Sequence, residues 1–188
     1  MALSFAGNGT ITGLSVGGLP DGTVDGDTLA SGTGGKVLQV VEATQTALVQ
    51  TTSMSWVDLT GMSVTLTPSS SSSKVLIFAN VNSSATNGAN WVAFKLVRGS
   101  TSFRLGDSAS SRFLCHIAAI QTQNDDMVSS SMSALDSPST SSSVTYKVQW
   151  QLRNSSSGSA NLNSTDADSD NDTHTRGVSN IIAMEISA

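Results

Sequence analysis

Residues 144–153 set the strongest constraint on what this chain can become. Val144, Tyr146, Val148, Trp150 and Leu152 alternate with Thr145, Lys147, Gln149, Gln151 and Arg153, the period of two by which a pleated strand buries one face and wets the other. A helix would spread those apolar positions around its circumference. The same period returns at Met62, Val64 and Leu66, and again at Val92, Phe94 and Leu96. Shorter runs predict strands at 36–42, 46–52, 74–82, 101–105, 113–121, 127–135, 158–163 and 178–187. Turn chemistry separates them: Pro68 before Ser69 to Ser73, Asn87 and Gly88 before Trp91, Arg98-Gly99-Ser100, and Pro138 before Ser139 to Ser143. Pro20, Pro68 and Pro138 all fall outside the expected strands, where a missing amide donor does no harm. This spacing predicts an all-β fold, an antiparallel jelly-roll-like β-sandwich spanning residues 36–188.

Residues 1–35 have a different character. They hold ten of the 16 glycines, and Asp21, Asp25 and Asp27 are their only charges, so the segment cannot bury a core of its own. It is expected to be an extended Gly-rich arm through which the protein attaches to a larger body. At about 3.3 Å per residue, 35 extended residues could span on the order of 115 Å.

Composition narrows the partners. Charged residues make up 12% of the chain, about half the usual share, with 14 acidic against nine basic side chains and a net charge of −5. Phosphate binding needs a concentrated basic face, so no nucleic-acid partner is expected. Without a long apolar run, no membrane insertion is expected. The first residues show neither a basic start nor an apolar core, so no secretory signal is expected. The lone Cys115 cannot form an internal disulfide, which fits synthesis in a reducing cytoplasm.

Several motifs suggest chemistry and fail on context. Gly13-Leu14-Ser15-Val16-Gly17 has the spacing of a hydrolase nucleophile elbow but lacks the strand before and the helix after it. Gly106-Asp107-Ser108 reads as a turn. Gly32 to Lys36 has the flavour of a phosphate loop, yet Ala30 stands where the first glycine belongs and Val37 where a hydroxyl should reach magnesium. Cys115 and His116 would point to opposite sides of a strand, so Cys115 is expected as a buried core thiol. No catalytic residues and no required cofactor are assigned, and the chain is not expected to be an enzyme. Asp166, Asp168, Asp170 and Asp172 alternate and could supply oxygen ligands to calcium. The EF-hand template is unmet at Asn171 and Gly177, and a solvated loop is the first reading.

Residues 178–187 are apolar on both faces, with Glu185 as the only charge. Such a strand is either central, covered by its own sheets, or a subunit interface. The interface reading assigns Ile181, Ala183, Met184 and Ile186 to a homotrimer contact. Trp150 belongs to an apolar face. Trp91 stands in a polar stretch and, with Asn87, Asn90, Asn154 and Asn163, is a candidate contact for a receptor or glycan.

One resemblance covers nearly the whole chain. Gly-Leu-Pro-Asp-Gly-Thr-Val (18–24), Gly-Gly-Lys-Val-Leu-Gln-Val-Val (34–41), Thr-Pro-Ser-Ser-Ser-Ser-Ser-Lys-Val-Leu-Ile (67–77), Lys-Leu-Val-Arg-Gly-Ser-Thr (95–101), Gly-Asp-Ser (106–108), Thr-Tyr-Lys-Val-Gln-Trp (145–150) and Ile-Ile-Ala-Met-Glu-Ile (181–186) follow one another as in fibre proteins of tailed bacteriophages, including marine and cyanobacterial ones. The resemblance implies a trimeric sandwich of the tumour-necrosis-factor or C1q type and a place on the virion. Residues 1–35 would then engage other tail or capsid proteins, and distal loops would contact a host surface glycan or protein. The alternative within the same class is a head fibre, decoration or cement protein that stabilises the capsid.

Overall fold

The computed structural model describes residues 4–5, 11–12, 36–86, 91–120, 126–153 and 158–188. The chain divides into two units, Met1–Lys36 and Val37–Ala188. In the first, β1 (Ser4–Phe5) pairs antiparallel with β2 (Ile11–Thr12). The remainder of the segment expected as an extended arm lies outside the described residues.

The second unit is built from two antiparallel sheets. In the first sheet β6 (Lys74–Ala85) pairs on one edge with β10 (Val128–Asp136). On its other edge it pairs with β13 (Ser179–Ile186) and, further along, with β12 (Ala160–Leu162). Beyond these lie β3 (Val37–Gln45), paired to β13, and β4 (Val49–Thr51), paired to β12. In the second sheet β11 (Val144–Arg153) stands between β5 (Val57–Leu66) and β7 (Trp91–Arg98). The far edge of β7 carries β8 (Thr101–Phe103) and β9 (Ile117–Ile120). The chain crosses from the first sheet to the second for β5, returns for β6, crosses for β7 to β9, returns for β10, crosses for β11 and returns for β12 and β13. This repeated exchange makes an all-β, antiparallel, jelly-roll-like sandwich.

The alternation in residues 144–153 does what its period requires. Val144, Tyr146, Val148, Trp150 and Leu152 enter the core, where they meet Val75, Ile77, Ala79 and Val81 of β6 and Ile181 and Ala183 of β13. Trp150 stacks on Phe94 with ring centroids 6.5 Å apart, and Tyr146 meets Phe103 edge-on at 6.1 Å. Each buried aromatic removes on the order of 150–250 Å² from water, worth about 4–6 kcal/mol at ~25 cal/mol per Å². The Tyr146 hydroxyl, buried with its ring, donates to Asp136 Oδ2 at 2.8 Å, and Arg98 Nη1 donates to the same oxygen at 2.7 Å. Burial first, and then the neighbouring carboxylate, push the phenol well above its ordinary range.

Two irregularities shape the second sheet. Gly61 adopts φ of 81° where the β5–β11 register shifts between Lys147 and Gln149, and the Gln45 amide occupies the space a Cβ would need. The strand expected at 113–121 is shortened to β9. Arg104 and Ser110 both have positive φ, so residues 104–116 form a loop, closed by the Gly106 N–H to the Cys115 carbonyl and joined to β7 by the His116 N–H to the Phe94 carbonyl.

Glu185 is the least expected core element. It shares the inward parity of Ser179, Ile181 and Ala183 and is fully buried. Its carboxylate accepts from Gln39 Nε2 at 2.6 Å, the Ser69 amide at 2.7 Å and the Ser69 hydroxyl at 2.6 Å. Burial alone would raise its pKa, but these bonds, with a further one from Ser73, outweigh it and hold the group at about 2. Glu185 thereby fastens the Pro68–Ser73 turn to β13 and β3.

Candidate interaction surfaces

The outward face of the first sheet is half apolar and half polar, and the register shows how. Val40, Met184, Leu76 and Leu135 stand side by side across β3, β13, β6 and β10. The next row is Glu42, Ile182, Phe78 and Ser133, and the one after is Thr44, Asn180, Asn80 and Ser131. Val40 is 55% exposed and Phe78 38%, with Leu38 and Leu135 also open to solvent. These apolar side chains together expose on the order of several hundred Å², the size at which a patch on a monomer is often functional. The polar row is internally satisfied: Ser131 Oγ donates to Asn80 Oδ1 (2.7 Å), Asn80 Nδ2 to Asn180 Oδ1 (3.1 Å) and Asn180 Nδ2 to Glu42 Oε1 (2.9 Å). The hydrogen-bonded ladder thus borders an open apolar row.

This register corrects the expected interface. Ile181 and Ala183 point inward and are wholly covered by the chain's own core, so they have no surface to offer a second subunit. Met184 and Ile186 do lie on the outward face, together with Ile182. Sequence reasoning missed Val40, Leu76, Phe78 and Leu135. Their outward parity could have been read from each strand, but their adjacency requires the pairing order.

The outward face of the second sheet is organised by rings and cations. Trp56, preceding β5, stacks on Phe113 of the 104–116 loop with centroids 5.4 Å apart. Lys95 Nζ lies 4.5 Å from the Trp56 ring and the Arg153 guanidinium 4.3 Å from the Phe113 ring, so a cation caps each end of the stack. The stack bridges from Lys95 to Arg153, which accounts for the near-complete burial of Ala93 and Gln151 beneath it. Burial lowers the Lys95 pKa. Beside Arg153 on β7 stands Trp91, 45% exposed, and beyond it on β9 Ile120, 54% exposed. Asp58 is the one carboxylate among the described strand residues registered onto this face. It is taken by Lys147 Nζ and Gln149 Nε2, both at 2.7 Å.

The remaining candidate residues separate. Asn87, Asn90 and Asn154 lie outside the described residues, as do Gly13 to Gly17. Asn163, expected at a glycan contact, is instead fully buried with φ of 62°. Its amide donates to the Gln45 carbonyl (2.7 Å) and accepts from Ser179 Oγ (2.6 Å), while its backbone N–H reaches Asn82 O at 2.8 Å. It ties the β12–β13 connection to β3 and β6. Asp166, Asp168, Asp170 and Asp172 do not converge: Asp168 pairs with Arg176 at 2.5 Å and accepts from Ser164 Oγ. Among the described residues no group of three or more acidic, histidine or cysteine side chains is placed to hold a metal ion. Cys115 precedes β9 in the loop and is only partly buried, not a core thiol. Burial raises the Cys115 pKa and lowers that of His116, which keeps the thiol protonated and the imidazole neutral at pH 7. Gly106 to Ser108 lie in the exposed loop after β8.

No protein-family model and no curated protein matches this chain.

Proposed function

We propose that this protein is a structural component of a bacteriophage particle, a fibre-like protein that assembles as a homotrimer through the outward face of its first sheet. The observation that carries the reading is the open apolar row Val40–Met184–Leu76–Leu135, bordered by a ladder of polar side chains, Ser131, Asn80, Asn180 and Glu42, already bonded to one another. Covering such a face gains from taking its apolar part out of water, while Ser131, Asn80 and Asn180 keep their hydrogen bonds within the chain and the one carboxylate, Glu42, stands on the edge strand β3. The likeness of residues 18–24, 67–77, 145–150 and 181–186 to phage fibres supports a second copy as the occupant and three as the number. In this reading residues 1–35 join the fibre to other virion proteins, the second sheet and its loops face outward toward the host cell, and the protein acts by attachment and not by catalysis.

Immunogold electron microscopy with antibodies to the full chain, applied to particles made from the genome that encodes it, tests the placement. Label confined to the tail is the expected result. Label on the head moves the same assembly to a decoration role, and particles without label overturn the proposal.

A further inference from the structure

We infer that the outward face of the second sheet binds an acidic sugar, a pyranose bearing a carboxylate or sulfate, with Trp91 stacking on the ring and Arg153, its register partner, attracting the anionic group. The inference does not depend on the trimer, because it concerns the opposite side of the sandwich.

Charge is the first argument. The chain carries a net −5, yet the described strand residues on this face include Lys95, Lys147 and Arg153 against Asp58 alone. Lys147 is neutralised by Asp58 at 2.7 Å. Lys95 and Arg153 instead lie over rings, where a cation keeps its full charge and its outward N–H donors. The described strand residues of this face therefore carry a net positive charge on a chain whose own net charge is negative.

Shape is the second. Trp91, across the register from Arg153, and Ile120, across from Trp91, are exposed side by side, and the Trp56–Phe113 stack pins the neighbouring loop against the sheet. Among the described residues the result is an open platform without the deep cleft that encloses a small apolar ligand. Strand β7 is hydrogen-bonded along both edges, by β11 and by β8 and β9, so a peptide cannot add to it as a strand. A ligand that offers a flat face to an indole and an anion to a guanidinium fits what remains. Single-stranded nucleic acid also stacks on rings beside cations, but its closely spaced phosphates need a longer basic track than two side chains provide.

The full-length protein should be passed over immobilised polygalacturonate, dextran sulfate, neutral dextran and oligothymidylate, and binding read by biolayer interferometry at low and high salt. Binding to one or both acidic polysaccharides, weakened by salt, is expected, and which of the two binds identifies the anion. Trp91→Ala and Arg153→Gln should each lower the affinity at least tenfold with the oligomer mass unchanged, whereas Lys74→Gln on the opposite sheet should leave it within twofold. Equal binding to neutral dextran, preference for the oligonucleotide, no binding to either acidic polymer, retention by either variant, or an equal loss in Lys74→Gln overturns the inference. A natural protein that binds an acidic polymer as a single chain would count against the trimer alone.

Discussion

Replacing Glu185 with Gln removes one charge from the core and changes almost no volume, so its effect isolates the hydrogen bonds that hold the Pro68–Ser73 turn. The carboxylate accepts three bonds of 2.6–2.7 Å from Gln39 and Ser69. In the variant, the amide oxygen can still face Ser69, but as a neutral acceptor it is roughly half as strong. The new NH₂ then meets Gln39 Nε2, which already donates to Thr67 O at 2.8 Å. Turning Gln39 over would set its oxygen against that carbonyl, so one buried polar group loses its partner either way. Two weakened charge-assisted bonds and one unmatched donor together cost about 2–4 kcal/mol, or roughly 6–12 °C in melting temperature for a domain of this size. The pH dependence has a definite sign. With its folded pKa near 2 and its ordinary value 4.5, Glu185 adds stability that is complete above about pH 4.5 and is lost as pH falls through 2. Urea unfolding of both proteins at equal concentration across pH 7 to 2 should show a gap at neutral pH that closes toward pH 2. Equal midpoints at pH 7, or a gap that persists undiminished at pH 2, would refute the reasoning.

Gly61→Ala forces a side chain onto φ of 81° and into the Gln45 amide, and chemical denaturation should show a loss of about 1–3 kcal/mol. Asn163→Ala removes the amide that donates to the Gln45 carbonyl and accepts the Ser179 hydroxyl proton; it should cost about 2–4 kcal/mol by the same measurement and leave any sugar affinity of the folded protein unchanged. Tyr146→Phe removes the hydroxyl bonded to Asp136 while Arg98 still pairs with that carboxylate, so thermal melting should fall by no more than about 1–2 kcal/mol in equivalent stability. Phe78→Asp places a charge beside Ile182 in the apolar part of the outward face without touching the core; sedimentation should report a smaller species with an unchanged far-ultraviolet spectrum.

The strands were legible where one face is wet. Residues 144–153, 62–66 and 92–97 alternate because their sheets have distinct inner and outer sides, and the pattern carries through to the burial of Tyr146, Trp150 and Phe94. Legibility failed where a segment is covered on both sides or held by side chains. Residues 160–165 are buried in an unbroken run that includes Asn161, Asn163, Ser164 and Thr165. The strand expected at 158–163 is present as β12, but nothing local reveals that the polar atoms of this run find partners on β3 and β6, so Asn163 reads as a surface contact. Glu185 was half legible: its parity with Ile181 and Ala183 pointed inward, but its donors come from residues 39 and 69, more than a hundred positions away. The expected interface mixed the two sides of β13 for a related reason, since a strand apolar on both faces does not say which face its own sheets cover. The stacked Trp56 and Phe113 belong to loops, where no period exists to announce a contact.

Sedimentation velocity of the full chain at micromolar concentration, beside its Met184→Asp variant, bears most directly on the assembly face. The account predicts three times the chain mass of 19.3 kDa for the natural protein and single, folded chains for the variant. A natural protein that sediments as one chain, or a variant that keeps the trimer, would contradict it.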